Sequence, residues 1–278
     1  MLIDSHAHLD SPRYAEDREA LLHRAWQAGV RTILSIGIGE GPDTMHQALD
    51  LSRQFKNHPE IPKIFASAGI HPHEAQLADE EAYTKLDQLL SEPEVIACGE
   101  IGLDYFYDHS PRNIQKTVFR RQMEIAASHK QPIIIHCRPS DNSTNAWDDT
   151  LDLLEEAWKP TGLGGILHCF TGEWHHARRA LDVGFLISFA GNITFPKAQP
   201  IRDTAELVPL DSILVETDAP FLAPVPNRGK RNEPAFVREV AAKLAEIRQI
   251  DPEAVASRTT ENFHRFFRTA PQPEKRSN

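Results

Sequence analysis

The feature that most constrains this chain is a unit that recurs at about 30-residue spacing: a short apolar run followed by an amphipathic helical pattern. This is the length of a strand–helix crossover between parallel strands. Apolar runs bounded by glycine and proline are typical of buried strands. Eight such units with no linker between them predict an α/β fold in one domain, a (β/α)8 TIM barrel. The predicted strands cover residues 2–4, 32–36, 64–68, 95–100, 133–135, 165–167, 185–189 and 213–217.

The predicted helices lie on residues 14–28, 80–90, 114–130, 147–158, 174–183, 201–207 and 233–248, with a further one that starts at Pro42. A last helix, over residues 252–267, would pack Phe263, Phe266 and Phe267 against the barrel. The barrel domain is therefore expected to span residues 1–268. The proline-rich, charged tail over residues 269–278 is expected to be disordered.

Composition limits the possible functions. The net charge is −10, whereas a protein that coats nucleic acid in general would be basic. A polyanionic substrate would therefore have to be held locally, by metal ions and a few arginines. Three cysteines without paired spacing argue against a disulfide framework and predict a reducing, cytoplasmic location. We expect no signal peptide, no membrane association and no obligate protein partner.

Five of the apolar runs lead into histidines or acids. In a barrel the C-terminal strand ends meet on one face, so these side chains would converge. An open doubly wound sheet, the alternative fold, would not bring five strand ends to one point. Each histidine alone could be a surface or core residue, but together they predict a site for two divalent metal ions. The candidate ligands are His6, His8, Glu100, His136, His168 and Asp218.

The predicted site suits metal-assisted hydrolysis. Two divalent ions about 3.5–4 Å apart can activate a water molecule and stabilise charge on the attacked group. Glu100 is the candidate bridge, because its two oxygens can serve two ions. Asp218 can bind one ion and also accept the proton of the nucleophilic water. We therefore expect Glu100 and Asp218 to be catalytic.

The order of short motifs is more specific than any single residue. The motifs cover residues 2–267 and resemble those of the TatD family of metal-dependent hydrolases, which are deoxyribonucleases of the amidohydrolase-like superfamily. They are Asp4-Ser-His-Ala-His-Leu-Asp10, Gly69-Ile-His-Pro-His-Glu74, Gly99-Glu-Ile-Gly-Leu-Asp-Tyr105, Phe119-Arg-Arg-Gln122, Ile134-Ile-His-Cys-Arg138, Leu167-His-Cys-Phe-Thr-Gly172, Glu216-Thr-Asp-Ala-Pro220, Arg228-Gly-Lys-Arg-Asn-Glu-Pro234 and Asn262-Phe263.

The resemblance implies an activity and a division of ligands. It implies that DNA is the substrate, cleaved as a 3′–5′ exonuclease would cleave single strands, with RNA as a further candidate. One metal would be held by His6, His8, Glu100 and Asp218, and the other by Glu100, His136 and His168. Family nucleases commonly use Mg²⁺, whereas several imidazoles suit Zn²⁺ or Mn²⁺ better, so the choice among Mg, Mn and Zn stays open.

Four residues are candidates for substrate binding. The resemblance places His71 and His73 beside the metals, although they could simply brace the turn at Pro72. Arg138 follows His136 by two residues, and its guanidinium suits a phosphate or an ion pair with Asp141. Arg228 lies in the loop after strand eight, where barrels often bind phosphate, although such a basic run can also be plain surface.

Other residues near the predicted ligands are harder to assign. Tyr105, Phe106 and Tyr107 could stack nucleobases or anchor a loop. Cys137 and Cys169 each follow a histidine ligand, so strand alternation should turn them away from the ions. Family members usually carry an acid at the position of Pro139, and the loop from there to Asn145 looks longer than usual. Because this loop borders the predicted site, the sequence does not predict the shape of the cleft or the length of the substrate.

Two other functions remain as alternatives. The same ions could activate water for attack on an ester or amide carbonyl, such as the aminoacyl ester of a D-aminoacyl-tRNA. A substrate panel would separate this from nuclease activity. A binding protein without enzymatic activity is disfavoured, since it would not need the complete ligand set.

Overall fold

The computed structural model describes residues 1–141 and 143–270. Its core is an eight-stranded sheet in which each strand pairs in parallel with the next one along the chain. Just beyond the last strand, Ala219 forms a parallel bridge with Ala7 of the first strand. The sheet therefore closes into a (β/α)8 barrel, and the open-sheet alternative is wrong. The strands are β1 (Leu2–Ala7), β2 (Val30–Ser35), β3 (Lys63–Ala68), β4 (Val95–Asp104), β5 (Ile133–Arg138), β6 (Gly165–Leu167), β7 (Phe185–Phe189) and β8 (Ile213–Val215).

Most predicted helices agree with the structure to within a few residues. The first helix begins at Arg18 rather than at residue 14, because Pro12–Tyr14 forms a separate 3-10 turn. Residues 271–278 of the predicted tail lie outside the described part of the chain. The helices are α1 (Arg18–Gln27), α2 (Gln47–Gln54), α3 (Glu80–Leu90), α4 (Arg112–Ser128), α5 (Asn145–Leu153), α6 (Trp174–Asp182), α7 (Gln199–Leu207), α8 (Val237–Arg248) and α9 (Pro252–Phe267).

The barrel interior is filled by apolar side chains at the N-terminal ends of the strands. Phe263 of α9 is fully buried among them, and its ring centroid lies 6.5 Å from that of Phe65. Helix α9 therefore closes this end of the barrel, and the predicted packing of Phe263, Phe266 and Phe267 against the barrel is confirmed. The strand residues in this cluster include Ile3, Leu34, Phe65, Ala97, Ile134, Ile166, Leu186 and Leu214.

Three strands extend further than their apolar runs. Strands β1 and β5 continue through their polar residues to Ala7 and Arg138, and β4 runs past Glu100 to Asp104. Two glycines of β4 allow close approach to β5: a Cβ at Gly102, where φ is +138°, would lie 2.1 Å from the carbonyl oxygen of His136. This close pairing keeps Glu100 and Asp104 beside the histidine of β5. Among the described residues, every helix is too short or too polar to cross a membrane.

Candidate metal centre

Side chains from three strand ends meet around one carboxylate oxygen, Oε2 of Glu100. Nε2 of His6 lies 3.3 Å from this oxygen, and Nε2 of His8 lies 3.8 Å from it. Asp218 approaches from beyond β8, with Oδ1 at 3.3 Å from Nε2 of His8 and 3.7 Å from Nε2 of His6. The two imidazole Nε2 atoms are 3.4 Å apart. Two imidazole nitrogens and two carboxylate oxygens thus lie around a common point.

These separations match the needs of a divalent ion. Tetrahedral ligands at about 2.0–2.1 Å from a metal lie about 3.3 Å from one another. The five separations that involve an imidazole nitrogen of this set are 3.3, 3.3, 3.4, 3.7 and 3.8 Å. Imidazole and carboxylate are also the donor types that such ions prefer. The four side chains can therefore hold one ion.

The other oxygen of Glu100 faces a second pair of histidines. Its Oε1 lies 2.8 Å from Nδ1 of His136 and 2.8 Å from Nε2 of His168. Strands β5 and β6 supply these rings, so Glu100 stands between β1 on one side and β5 and β6 on the other. This arrangement gives the carboxylate one oxygen for each group of imidazoles, as a bridging ligand requires.

The pKa values of Glu100 and His168 are shifted toward their charged forms, whereas that of His6 is shifted toward its neutral form. Burial opposes ionisation of Glu100, but the neighbouring His168 and His6 outweigh it and hold the pKa of this carboxyl well below its usual range. Burial also disfavours a charged His168, yet Glu100 raises its pKa well above the ordinary value. Burial lowers the pKa of His6, assisted by the charge of His168. A divalent ion would replace the protons on these rings, because only neutral imidazole binds a metal.

Two buried acids that the sequence analysis did not assign support the histidines from behind. Asp104 Oδ2 lies 3.0 Å from Nε2 of His136, and Glu216 Oε1 lies 3.3 Å from Nδ1 of His168. Carboxylates in this position fix the tautomer and orientation of metal-binding imidazoles. For Asp104 the sequence did hold a signal. Glu100 and Asp104 are four residues apart on one strand, and this even spacing places both side chains on the same face.

All the candidate ligands except His6 line an open pocket of about 850 Å³ at the C-terminal ends of the strands. Four carboxylates line it, and Arg138 is the one Lys or Arg among its described lining residues. Acidic side chains therefore outnumber Lys and Arg side chains in the lining of this pocket. The lining carboxylates belong to Glu74, Glu100, Asp104 and Asp218.

Comparison with known proteins shows the family to which the chain belongs. Residues 3–268 match the family model described as TatD related DNase. The chain belongs to the TatD family. YabD of Bacillus subtilis, described as an uncharacterized metal-dependent hydrolase, is 39% identical, and the match covers 96% of this chain and 99% of that protein. The chain is thus a metal-dependent hydrolase of the TatD family, and its histidine and acid groups could bind metal.

Two further TatD proteins match over nearly their whole length. A protein of Salmonella typhimurium named 3′-5′ ssDNA/RNA exonuclease TatD is 32% identical, with 96% of this chain and 98% of that protein covered. The crystal structure of YjjV, a TatD homologue of Escherichia coli, superposes with a TM-score of 0.84 at 29% identity, covering 97% of this chain and 98% of that one. The second match confirms the barrel expected for a TatD protein.

The two histidines that the TatD motif placed beside the metals lie in the same pocket. His71 is buried, with Nε2 at 3.6 Å from Glu100 Oε1. Burial and the charge of His136 lower the pKa of His71 to about 4, so the ring is neutral near pH 7. His73 Nε2 lies 2.9 Å from Asp104 Oδ2. His71 thus contacts the candidate bridge, whereas His73 contacts the acid behind His136.

The two candidate arginines have different surroundings. The guanidinium of Arg138 lies over the rings of Phe106 and Tyr107, at 4.1 and 4.7 Å from their centroids. Within residues 1–141 and 143–270 it forms no ion pair, so the expected alternative partner Asp141 does not engage it. Arg228 stacks on Phe195 at 3.8 Å and lies outside the set of residues that line the pocket.

Two other expectations for this TatD protein need correction. Tyr105 cannot stack a nucleobase, because it is buried and its hydroxyl donates a hydrogen bond to Asp149. Cys169 lines the pocket although strand alternation predicted the opposite, since it follows the end of β6 and has a φ of +43°. Cys137 also borders the pocket, but its thiol accepts a hydrogen bond from Thr150 on α5, away from the ligands.

Proposed function

We propose that this TatD protein is a cytoplasmic 3′–5′ exonuclease that hydrolyses single-stranded DNA, with RNA as a further substrate. The observation that carries the proposal is the position of Glu100, whose two oxygens face separate groups of imidazoles. A carboxylate in this position suits two divalent ions, the arrangement used for in-line attack on phosphodiesters. The relative named 3′-5′ ssDNA/RNA exonuclease supports nucleic acid as the substrate class.

We assign the ligands as follows. His6, His8, Glu100 and Asp218 would hold one ion, and Glu100, His136 and His168 would hold the other. Bound there, two divalent ions would supply Lewis-acid polarisation of the phosphate and a water molecule that deprotonates near neutral pH. Mg²⁺, Mn²⁺ and Zn²⁺ are the candidates, and the imidazole content favours Zn²⁺ or Mn²⁺.

Asp218 is assigned as the general base. Burial disfavours its charged form, but the bond to His8 and the nearby imidazoles lower the pKa of its carboxyl below the ordinary value. It is therefore ionised at neutral pH and can accept the proton of the attacking water. The side chain of Asp218 is 13% exposed, whereas that of Glu100 is 3% exposed. This exposure gives solvent a route to Asp218.

Arg138 and His71 are assigned to the substrate phosphate. Arg138 lines the pocket and carries no competing ion pair within the described ranges, so its guanidinium is free to pair with a phosphate oxygen. His71 is neutral, so it can offer a ring nitrogen without adding charge. His73 and Arg228 remain weaker candidates, because His73 contacts Asp104 and Arg228 lies off the pocket.

The test is a cleavage assay on protein stripped with a chelator. Mg²⁺, Mn²⁺ or Zn²⁺ is added back, and a 5′-labelled single-stranded oligonucleotide is followed on a gel. The expected result is a metal-dependent ladder that shortens from the 3′ end and is lost in Asp218→Asn. Asp211→Asn is the matched control, because Asp211 lies just before β8 at the other end of the barrel and is exposed.

The same assay separates the competing chemistry. Absence of cleavage with every metal, together with hydrolysis of an ester or amide from a panel that includes an aminoacyl-tRNA, would overturn the nuclease assignment. Shortening from the labelled 5′ end would overturn its polarity. Equal rates for wild type and Asp218→Asn would remove Asp218 from the reaction.

A further inference from the structure

The pocket mouth carries exposed aromatic rings that the proposed chemistry does not use. Phe106, Tyr107 and Phe221 are 42%, 48% and 48% exposed, and they are the exposed Phe, Tyr or Trp residues among those described. All three lie beside the pocket rather than scattered over the barrel: Tyr107 and Phe221 line it, and Phe106 contacts Tyr107. Exposed apolar groups gathered at one site mark a surface for binding.

One side of the mouth is an aromatic wall formed by Phe106, Tyr107 and His109. The rings of Tyr107 and His109 are parallel, with an angle of 3° and centroids 5.4 Å apart. The wall is held in place by Asp104, whose Oδ1 accepts hydrogen bonds from the backbone N–H groups of Phe106 and Tyr107 at 3.0 and 2.9 Å. The guanidinium of Arg138 also lies over Phe106 and Tyr107, at 4.1 and 4.7 Å from their ring centroids, so a flat ligand that stacks on this wall would take the place of that guanidinium or lie beside it. A wall fixed in this way loses little entropy when a flat ligand stacks on it.

Phe221 forms the other side of the mouth. It follows β8, whereas the aromatic wall follows β4, and these strands are four places apart in the ring of eight. The two surfaces therefore face each other across the metal centre. Phe221 is also held by its backbone: its N–H donates to the carbonyl oxygen of Asp218 at 2.9 Å, and its own carbonyl accepts from Asn232 at 2.6 Å.

The acidic lining of the pocket raises the question of what attracts a nucleic acid to it. Four carboxylates line the pocket against the single guanidinium of Arg138, and the whole chain carries a net charge of −10. Two bound divalent ions would hold the phosphate that is cleaved, but cationic side chains supply little attraction for the rest of the phosphate backbone. Stacking of unpaired bases on aromatic rings contributes affinity that does not depend on charge.

We propose that the aromatic wall and Phe221 each stack one unpaired nucleobase, on opposite sides of the phosphate that is cleaved. This inference rests on the proposed nuclease function and adds the basis of its substrate choice. Bases in a duplex already stack on both faces and pair at their edges, so they cannot reach the two surfaces. The aromatic rings therefore select single strands, while the metal centre selects the phosphate.

The experiment combines enzyme variants that lack one aromatic ring with oligonucleotides that lack one base. The reconstituted enzyme is assayed on a single-stranded oligonucleotide and on matched oligonucleotides that carry an abasic analogue at one of the last three positions. The ring variants are Tyr107→Ala and Phe221→Ala, and Tyr107→Phe retains the ring. Leu207→Ala is the control, because Leu207 is 55% exposed at the end of α7, on the far side of the barrel.

We expect Tyr107→Ala and Phe221→Ala each to raise KM for the intact strand by about 10-fold. For each variant, KM should change by less than about 2-fold on the oligonucleotide that lacks the base stacked on that ring. Tyr107→Phe should behave as wild type, and so should Leu207→Ala. A KM penalty that is the same with and without the base, or a fall in kcat alone, would overturn the stacking role.

Failure of this inference differs from failure of the proposed function. If wild type cleaves single-stranded DNA and both ring variants keep its KM, the stacking surfaces are wrong and the nuclease stands. If wild type hydrolyses bis(p-nitrophenyl) phosphate but no oligonucleotide, the nuclease is wrong and the stacking role falls with it.

Discussion

Nε2 of His6 and Nε2 of His8 lie 3.4 Å apart and converge on the same oxygen of Glu100. Two protonated imidazoles at this distance would repel each other, so the pair needs either one shared proton or one shared cation. The pKa of buried His6 is lowered, which leaves its ring neutral and available as a ligand. A metal ion bound to the two histidines of this strand end would relieve the electrostatic conflict.

Removal of metal should destabilise the protein. Ligand at 100 times its Kd stabilises the native state by about 2.7 kcal/mol. For a domain of this size that corresponds to a rise in Tm of about 5–10 °C. We expect this shift when Zn²⁺ or Mn²⁺ is added to chelator-treated protein in a thermal melt, and no comparable shift in a variant with His6→Ala and His8→Ala. Metal analysis that finds fewer than two bound ions per chain after reconstitution would contradict the dinuclear assignment.

Glu100→Ala should cost far more activity than His71→Ala. Loss of a partner outside the ligand set typically costs about 10–100-fold. Glu100 would touch both ions, so its removal should exceed that range, whereas His71→Ala should stay within it. Steady-state hydrolysis of bis(p-nitrophenyl) phosphate at saturating metal gives both values. Equal and small losses would show that Glu100 does not bridge two ions.

Asp104→Asn should weaken metal binding rather than abolish the chemistry. The carboxylate lies 3.0 Å from His136 Nε2, and hydrogen bonds with His136 and His73 keep the pKa of Asp104 low despite burial. We expect a loss of about 10–100-fold in metal affinity, partly recovered when the metal concentration is raised. Activity measured against metal concentration tests this, and a loss that excess metal does not reduce would instead indicate a direct part in the reaction.

His176 should make the fold sensitive to acid. Burial lowers the pKa of His176 to about 4, with a smaller contribution from His175, against an ordinary value of 6.5. Between these values the unfolded chain binds a proton that the folded chain does not, so stability falls as pH falls from 6.5 to 4. The maximum loss is about 3 kcal/mol.

The matched variant is His176→Gln. His176 Nδ1 accepts a hydrogen bond from the backbone N–H of Glu173 in the capping box of α6, and glutamine suits that position. Denaturant unfolding at pH 7 and pH 4.5 should show a smaller pH effect in His176→Gln than in wild type. The same pH dependence in both proteins would remove His176 as the cause.

Phe263→Ala should destabilise the barrel without changing its metal affinity. Phe263 is fully buried at the end of the barrel opposite the ligands. Truncation of a buried phenylalanine costs about 3–5 kcal/mol. Chemical denaturation would measure the loss, and isothermal titration with Mn²⁺ at low temperature would check that the metal centre is intact.

The sequence predicted the barrel and the meeting of six side chains because both follow from strand order. Each candidate ligand lies at or just beyond a strand, and the barrel brings those positions together. The spacing of Glu100 and Asp104 could have placed both side chains on one face, but it could not show which histidine Asp104 contacts. That contact, and the contact of Glu216 with His168, depend on how far each strand extends and on its register with the next. The position of Arg228 depends on the path of a long loop, which local patterns do not determine.

Different residues close the N-terminal end of the barrel and form the pocket mouth at its C-terminal end. Helix α9 fills one end through Phe263, while the six candidate ligands and the exposed rings of Phe106, Tyr107 and Phe221 approach from the other. Changes at sites this far apart usually add independently. The chain can therefore be stabilised at its base and re-targeted at its mouth in separate rounds of substitution, with neither set of changes limiting the other.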